Sequence, residues 1–112
     1  MYVIVRKDLS FPQKAVQSAH AAIEAARTFI PSKNHEENID CLDNHPHLII
    51  CEVRDEKKLK STEKKLKENG IRYRMFIEPD IGDQITAIAT EPLSSYDNRR
   101  EVLRRYQLLQ GD

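Results

Sequence analysis

From Ser10 to Pro31 the chain carries one long helical signal, and this signal follows directly on a short β-branched run. Ser10 suits a helix cap and Pro12 a first turn, and Ala15, Val16, Ala19, Ile23, Ala26 and Ile30 then recur at helical period until Pro31 stops the run. These positions are the expected buried face. Ahead of them, Tyr2 to Val5 reads as a buried strand closed by the polar Arg6, Lys7 and Asp8. A strand followed at once by an amphipathic helix is the opening of an α/β domain.

The rest of the chain continues the alternation. Asn34 and Glu37 have capping-box spacing, so Glu36 to Leu42 is expected as a short helix before a loop through Asn44 and His47. His47 to Val53 is expected as a strand. Asp55 can cap a helix running through Leu59, Thr62 and Leu66 to a stop at Asn69 and Gly70. Ile71, Tyr73, Met75 and Ile77 alternate with charged residues as a third strand, Gln84 to Thr90 makes a fourth, and Pro92 closes it. A last helix is expected from Ser94 or Ser95, burying Val102, Leu103, Tyr106 and Leu109. The expected fold is a single α/β domain over residues 1–112, with a four-stranded mixed sheet and helices on both faces.

Composition removes several function classes. Eighteen basic residues balance eighteen acidic ones, so no global field draws the chain to nucleic acid or an anionic membrane, and any anionic partner must be held by a local patch. No apolar run approaches a membrane span, and the N-terminus lacks a signal peptide's apolar region, so a soluble cytoplasmic protein is expected. Cys41 and Cys51 lack metal or redox spacing and are expected as free thiols. His35, Cys41, His45 and His47 match no standard zinc pattern, and no metal or cofactor is expected.

Two distant segments carry the chemistry. Lys14 and Gln17 lie within one turn of each other near the start of the first helix, where backbone N–H groups and the helix dipole favour negative charge. Glu78 and Asp80 flank Pro79 in a turn that leads through Gly82 into the strand bearing Thr86. A cation, an amide, carboxylates and a hydroxyl can together activate water and stabilise an oxyanion. Each also has a plainer reading: Lys14 as a solvated helix edge, Glu78 and Asp80 as turn residues, and Thr86 as a strand former. His20 falls between the apolar stripe and the polar edge, and packing against a neighbouring element with one ring hydrogen bond is expected of it.

The strand Tyr2 to Val5, the run Gln17 to Ala22 containing His20, and the stretch Gln84 to Pro92 resemble the type II peptidyl-tRNA hydrolase family. The resemblance covers nearly the whole chain in element order, with residue matches confined to those patches. It implies an ester hydrolase acting on peptidyl-tRNA or a related acylated RNA 3′ end, a homodimeric state, and catalytic roles for a lysine one turn before the glutamine, an aspartate between the last strands and a strand threonine. Here the position four before Gln17 is Gln13, with Lys14 next, and the aspartate corresponds to Glu78 or Asp80. The expected site set is Lys14, Gln17, Glu78, Asp80 and Thr86.

Two further readings stand beside the hydrolase: a non-catalytic module of the same fold that holds a nucleotide or RNA end, and a hydrolase of small esters. Lysines between Lys57 and Lys67, and the arginines Arg99, Arg100, Arg104 and Arg105, are candidate phosphate contacts or merely solvated faces.

Overall fold

The structure is a computed structural model, which describes residues 1–30 and 47–110. Its elements are β1 (Tyr2–Arg6), α1 (Phe11–Phe29), β2 (Ile49–Val53), α2 (Glu56–Glu68), β3 (Tyr73–Glu78), a 3-10 turn (Pro79–Ile81), β4 (Gln84–Thr90), a second 3-10 turn (Asn98–Val102) and β5 (Gln107–Leu108). The expected short helix Glu36 to Leu42 lies outside the described residues, as do His35, Cys41 and His45.

The strands form one mixed sheet in the order β3-β4-β1-β2-β5. β1 and β2 are parallel, as their helical crossover requires, and the other pairings are antiparallel. Alternation along β1 splits the core between two faces. Met1, Val3 and Val5 pack with Ala21, Ala25, Ala87 and Ala89 under α1, while Tyr2 and Ile4 pack with Cys51, Leu59, Leu66 and Ile88 under α2. Helices therefore cover both faces, as expected, but the sheet has five strands rather than four.

The fifth strand replaces the expected last helix. Leu103 reaches the α2-side core while Leu109 reaches the α1-side core, so this segment must pass around the edge of the sheet. A helix keeps one face toward one partner. The chain instead makes a 3-10 turn capped by Asp97 and then pairs with β2, where Leu109 N–H donates to Ile50 O at 2.8 Å.

α1 starts where expected, with a full capping box: Gln13 N–H donates to Ser10 Oγ and Ser10 N–H donates to Gln13 Oε1. Its buried face matches the expected one only near its C-terminal end, where Ala26 and Ile30 pack against the core. The helix buries Lys14, Gln17, Ser18, Ala21 and Ala25, whereas Val16 is 52% and Ile23 55% exposed. Alanines at 21 and 25 let the helix axis approach Ala87 and Ala89 closely, and the larger apolar side chains are turned outward. α2 behaves as its sequence predicts, burying Leu59, Thr62 and Leu66 and leaving its lysines in solvent. Those lysines lie on the sheet face opposite α1.

One irregularity matters for the site. Phe76 pairs with Ala87 and the next residue, Ile77, pairs with Ile85, so Thr86 is an extra residue in β4. The bulge is clamped from the α2 side, where Ile85 N–H donates to Glu56 Oε2 at 3.0 Å and Arg6 Nη1 donates to Ile85 O at 3.3 Å. Thr86 consequently points to the α1 face together with Ala87, while Ile85 and Ile88 both reach the other face.

Candidate active site

A cleft of about 350 Å³ opens between α1 and the end of β3, lined by Leu9, Gln13, Val16, Gln17, His20, Glu78, Asp80, Ile81 and Thr86. Four of the five expected site residues meet here. Thr86 Oγ1 donates to Gln17 Oε1 at 2.7 Å, and Gln17 Nε2 donates to Glu78 Oε2 at 3.3 Å. The orientation of the Gln17 amide follows from chemistry, since a carboxylate only accepts and therefore takes the NH₂ end. Thr86 is fully buried, Gln17 is buried and Glu78 is half-buried, so the hydroxyl and amide fix the carboxylate from below.

Asp80 lines the same cleft from an exposed position in the 3-10 turn. The turn is closed by its own backbone, with Gly82 N–H donating to Pro79 O at 3.3 Å. Gly82 and Asp83 both take left-handed backbone angles (φ 75° and 58°), which swing the chain back into β4. Glu78 precedes this turn and belongs to the strand.

Lys14 is absent from the lining. Its ammonium group is 3.3 Å from Glu52 Oε2 on β2, and both side chains are buried, the lysine 7% and the glutamate 1% exposed. The other oxygen of Glu52 and the hydroxyl of nearby Ser18 have no hydrogen-bond partner. The expected approach of Lys14 to Glu78 or Asp80 is thus replaced by a buried ion pair toward β2, and among the described residues no lysine or arginine lines the cleft.

Gln13 and His20 complete the polar lining. Gln13 Oε1 is engaged by Ser10 N–H in the capping box, which leaves its NH₂ as the end able to serve a ligand. Its place one turn before Gln17 was visible in the sequence, but its role was masked by the more conspicuous lysine beside it. His20 packs as expected against a neighbouring element, through a ring stack on Phe76 in place of the expected hydrogen bond: the ring centroids are 4.4 Å apart and the planes 8° from parallel.

A helix laid across a mixed sheet, with an anchored carboxylate, two amides and a buried hydroxyl at one open cleft, defines a small α/β protein with a polar site at the end of the sheet. The comparison with protein families makes this specific: the family model described as Peptidyl-tRNA hydrolase PTH2 matches residues 1–109. The chain belongs to this peptidyl-tRNA hydrolase family, whose general activity is hydrolysis of peptidyl-tRNA. No curated protein matches the chain. Among the described residues no helix is long and apolar enough to cross a membrane, and none of their His, Cys, Asp and Glu side chains form a group suited to a metal ion.

Proposed function

We propose that the chain hydrolyses the ester joining an acyl group to the terminal ribose of peptidyl-tRNA or a related acylated RNA, in the cleft between α1 and the β3 end. The anchored Glu78 carboxylate carries this reading: a strand residue whose oxygen is held by Gln17, itself held by Thr86. Glu78 takes a proton from a water whose oxygen attacks the ester carbonyl carbon. As the tetrahedral intermediate collapses, the bond from that carbon to the ribose oxygen breaks and the proton passes to the ribose oxygen. The products are the free acid and the unacylated RNA. The Gln13 NH₂ and the N-terminal end of α1 face the negative charge that develops on the carbonyl oxygen. Lys14 contributes at a distance, by seating α1 on β2 through Glu52.

These steps call on groups of the chain alone, and a peptidyl-tRNA substrate would suit a role in translation in the cytoplasm. One observation favours a second reading. With Lys14 committed to Glu52, the described residues offer a developing oxyanion in the cleft no side-chain cation, which suits a module that binds an RNA end without cleaving it.

Hydrolysis of N-blocked aminoacyl-tRNA, measured for the wild type and Glu78→Gln with and without a chelator, decides between them. Turnover that survives chelation and is lost in Glu78→Gln supports the enzyme. A wild type without turnover that still binds the RNA, more weakly as salt rises, supports the module.

A further inference from the structure

We infer that the stacked rings of His20 and Phe76 form a platform for the base of the terminal nucleoside, setting the esterified ribose beside Gln17 and Glu78. This inference rests on the acylated-RNA reading and adds to it the part of the substrate that is held and the residues that hold it. The rings are nearly parallel, and although Phe76 covers one face of the imidazole, His20 remains exposed and lines the cleft. In the platform a third ring stacks on the imidazole from the cleft, on the side away from Phe76. Val16 and Ile23, four residues before and three after His20, are exposed apolar side chains on the same side of α1 and flank the platform. An apolar, planar surface with apolar margins is poorly satisfied by water and well matched to the face of a heterocycle.

Position fixes which heterocycle. His20 follows Gln17 by three residues, which on a helix is about 4.5 Å of axial rise on neighbouring faces. That is the scale of one sugar ring, so a base stacked on His20 carries its own ribose to the Gln17–Glu78 pair. The acyl group differs from one peptidyl-tRNA to the next, whereas the terminal nucleoside is common to all of them. A rigid platform at a fixed distance from the carboxylate suits the constant part. Stacking accepts a base through its π-face, so no hydrogen-bond readout is needed.

The test uses His20→Ala and His20→Phe with two substrates, N-blocked aminoacyl-tRNA and the same RNA with an abasic terminal nucleotide. His20→Ala is expected to raise KM on the complete substrate by roughly 5- to 100-fold, the range for losing one base–aromatic stack, with little change in kcat. Restoring a ring in His20→Phe recovers most of the loss. The abasic substrate should be equally poor for wild type and His20→Ala. A loss in kcat that His20→Phe does not restore would assign His20 a proton-transfer role and overturn the platform, as would full wild-type efficiency on the abasic substrate.

A parallel binding measurement separates this inference from the hydrolase reading. In NMR titrations with an unacylated trinucleotide ending in CCA, ring-current shifts at His20 and Phe76 that vanish with the abasic analogue support the platform even if no turnover occurs. Their absence in a protein that does hydrolyse the substrate overturns the platform and leaves the hydrolase standing. Shifts at these rings that appear only with an acylated form of the trinucleotide, and not with the unacylated one, overturn it in favour of a peptide subsite.

Discussion

Thr86 and Gln17, 69 residues apart in sequence, are joined by a 2.7 Å hydrogen bond that fixes β4 to α1 at the floor of the cleft. The bond exists because β4 bulges at Thr86. Regular alternation from Ala87 would send the residue before it to the α2 face, the side of Ile88. The extra residue turns the hydroxyl to α1 instead, and Glu56 and Arg6 hold the bulge by bonding the Ile85 backbone. A local defect in a ladder on one face of the sheet thus sets the position of a carboxylate-orienting amide on the other.

Removing that hydroxyl should loosen Glu78 without disturbing the core. Thr86→Val keeps the shape but leaves the buried Gln17 carbonyl oxygen without its donor, a change costing about 1–3 kcal/mol of stability. We expect kcat on N-blocked aminoacyl-tRNA to fall about tenfold or more with KM nearly unchanged, because orientation matters most in the transition state. Thr86→Ser, which retains the donor, should stay within a few fold. Equal activity of the valine and serine variants would show that Gln17 needs no anchor.

The two cleft carboxylates should differ sharply. Glu78 is half-buried and bonded to Gln17, whereas Asp80 is exposed on the 3-10 turn. Loss of a general base lowers turnover by about two orders of magnitude or more, and Glu78→Gln should do so while unfolding at an unchanged urea midpoint. Asp80→Asn should retain turnover within a few fold. The reverse pattern, with both variants folded, moves the base to Asp80.

Much of the fold was legible because its signals are local. Ser10 and Asp55 cap the helices they were expected to cap, Gln84 to Thr90 is a strand with the expected bounds, and Leu59, Thr62 and Leu66 form the buried stripe of α2. The buried face of the first half of α1 was not legible, because polar residues at 14 and 17 become good burial positions only through Glu52, Glu78 and Thr86, all distant in sequence. β5 failed for a related reason: Val102, Leu103, Tyr106 and Leu109 were correctly read as core residues, but nothing in their spacing says that they serve two opposite faces. Gln17, Glu78, Asp80 and Thr86 were brought to one cleft by the topology. Lys14 was not, since a lysine one helical turn away from another residue can still face a different strand.

The Lys14–Glu52 pair should behave as a structural unit. Breaking a buried ion pair from one side strands a charge at a cost of about 3–5 kcal/mol, whereas replacing both partners with apolar residues of similar volume is close to neutral. Lys14→Met should be the more damaging single change. Glu52 sits inside the sheet with one oxygen already unpartnered, while a lysine near a helix start can carry its charge outward on its flexible stem. Urea unfolding of Lys14→Met, Glu52→Leu and the double variant gives the coupling directly. Turnover in the double variant within a few fold of wild type would confirm that the lysine acts through packing, and a specific loss of kcat with stability restored would return it to the chemistry.

The absence of a cationic side chain among the described residues that line the cleft suggests how the activity can be raised. Gln13 lies one turn before Gln17 and lines the cleft, with its carbonyl oxygen held by Ser10 N–H and its NH₂ left for a substrate oxygen. A neutral amide donor stabilises an oxyanion less than an ammonium group does, since charge-assisted hydrogen bonds are roughly twice as strong as neutral ones. Gln13→Lys places a cation at that point. It also removes the acceptor for Ser10 N–H, but Ser10 Oγ can still cap the first turn, so the stability cost should be small. Because the negative charge appears only on the way to the tetrahedral intermediate, the gain should fall on kcat, about tenfold or more on N-blocked aminoacyl-tRNA, with KM nearly unchanged. Gln13→Leu, which removes the donor, should lower kcat by a similar factor. If the lysine variant unfolds at the wild-type urea midpoint and shows no gain, the carbonyl oxygen of the substrate does not face the start of α1, and the oxyanion must be sought near the backbone of the Pro79–Ile81 turn instead.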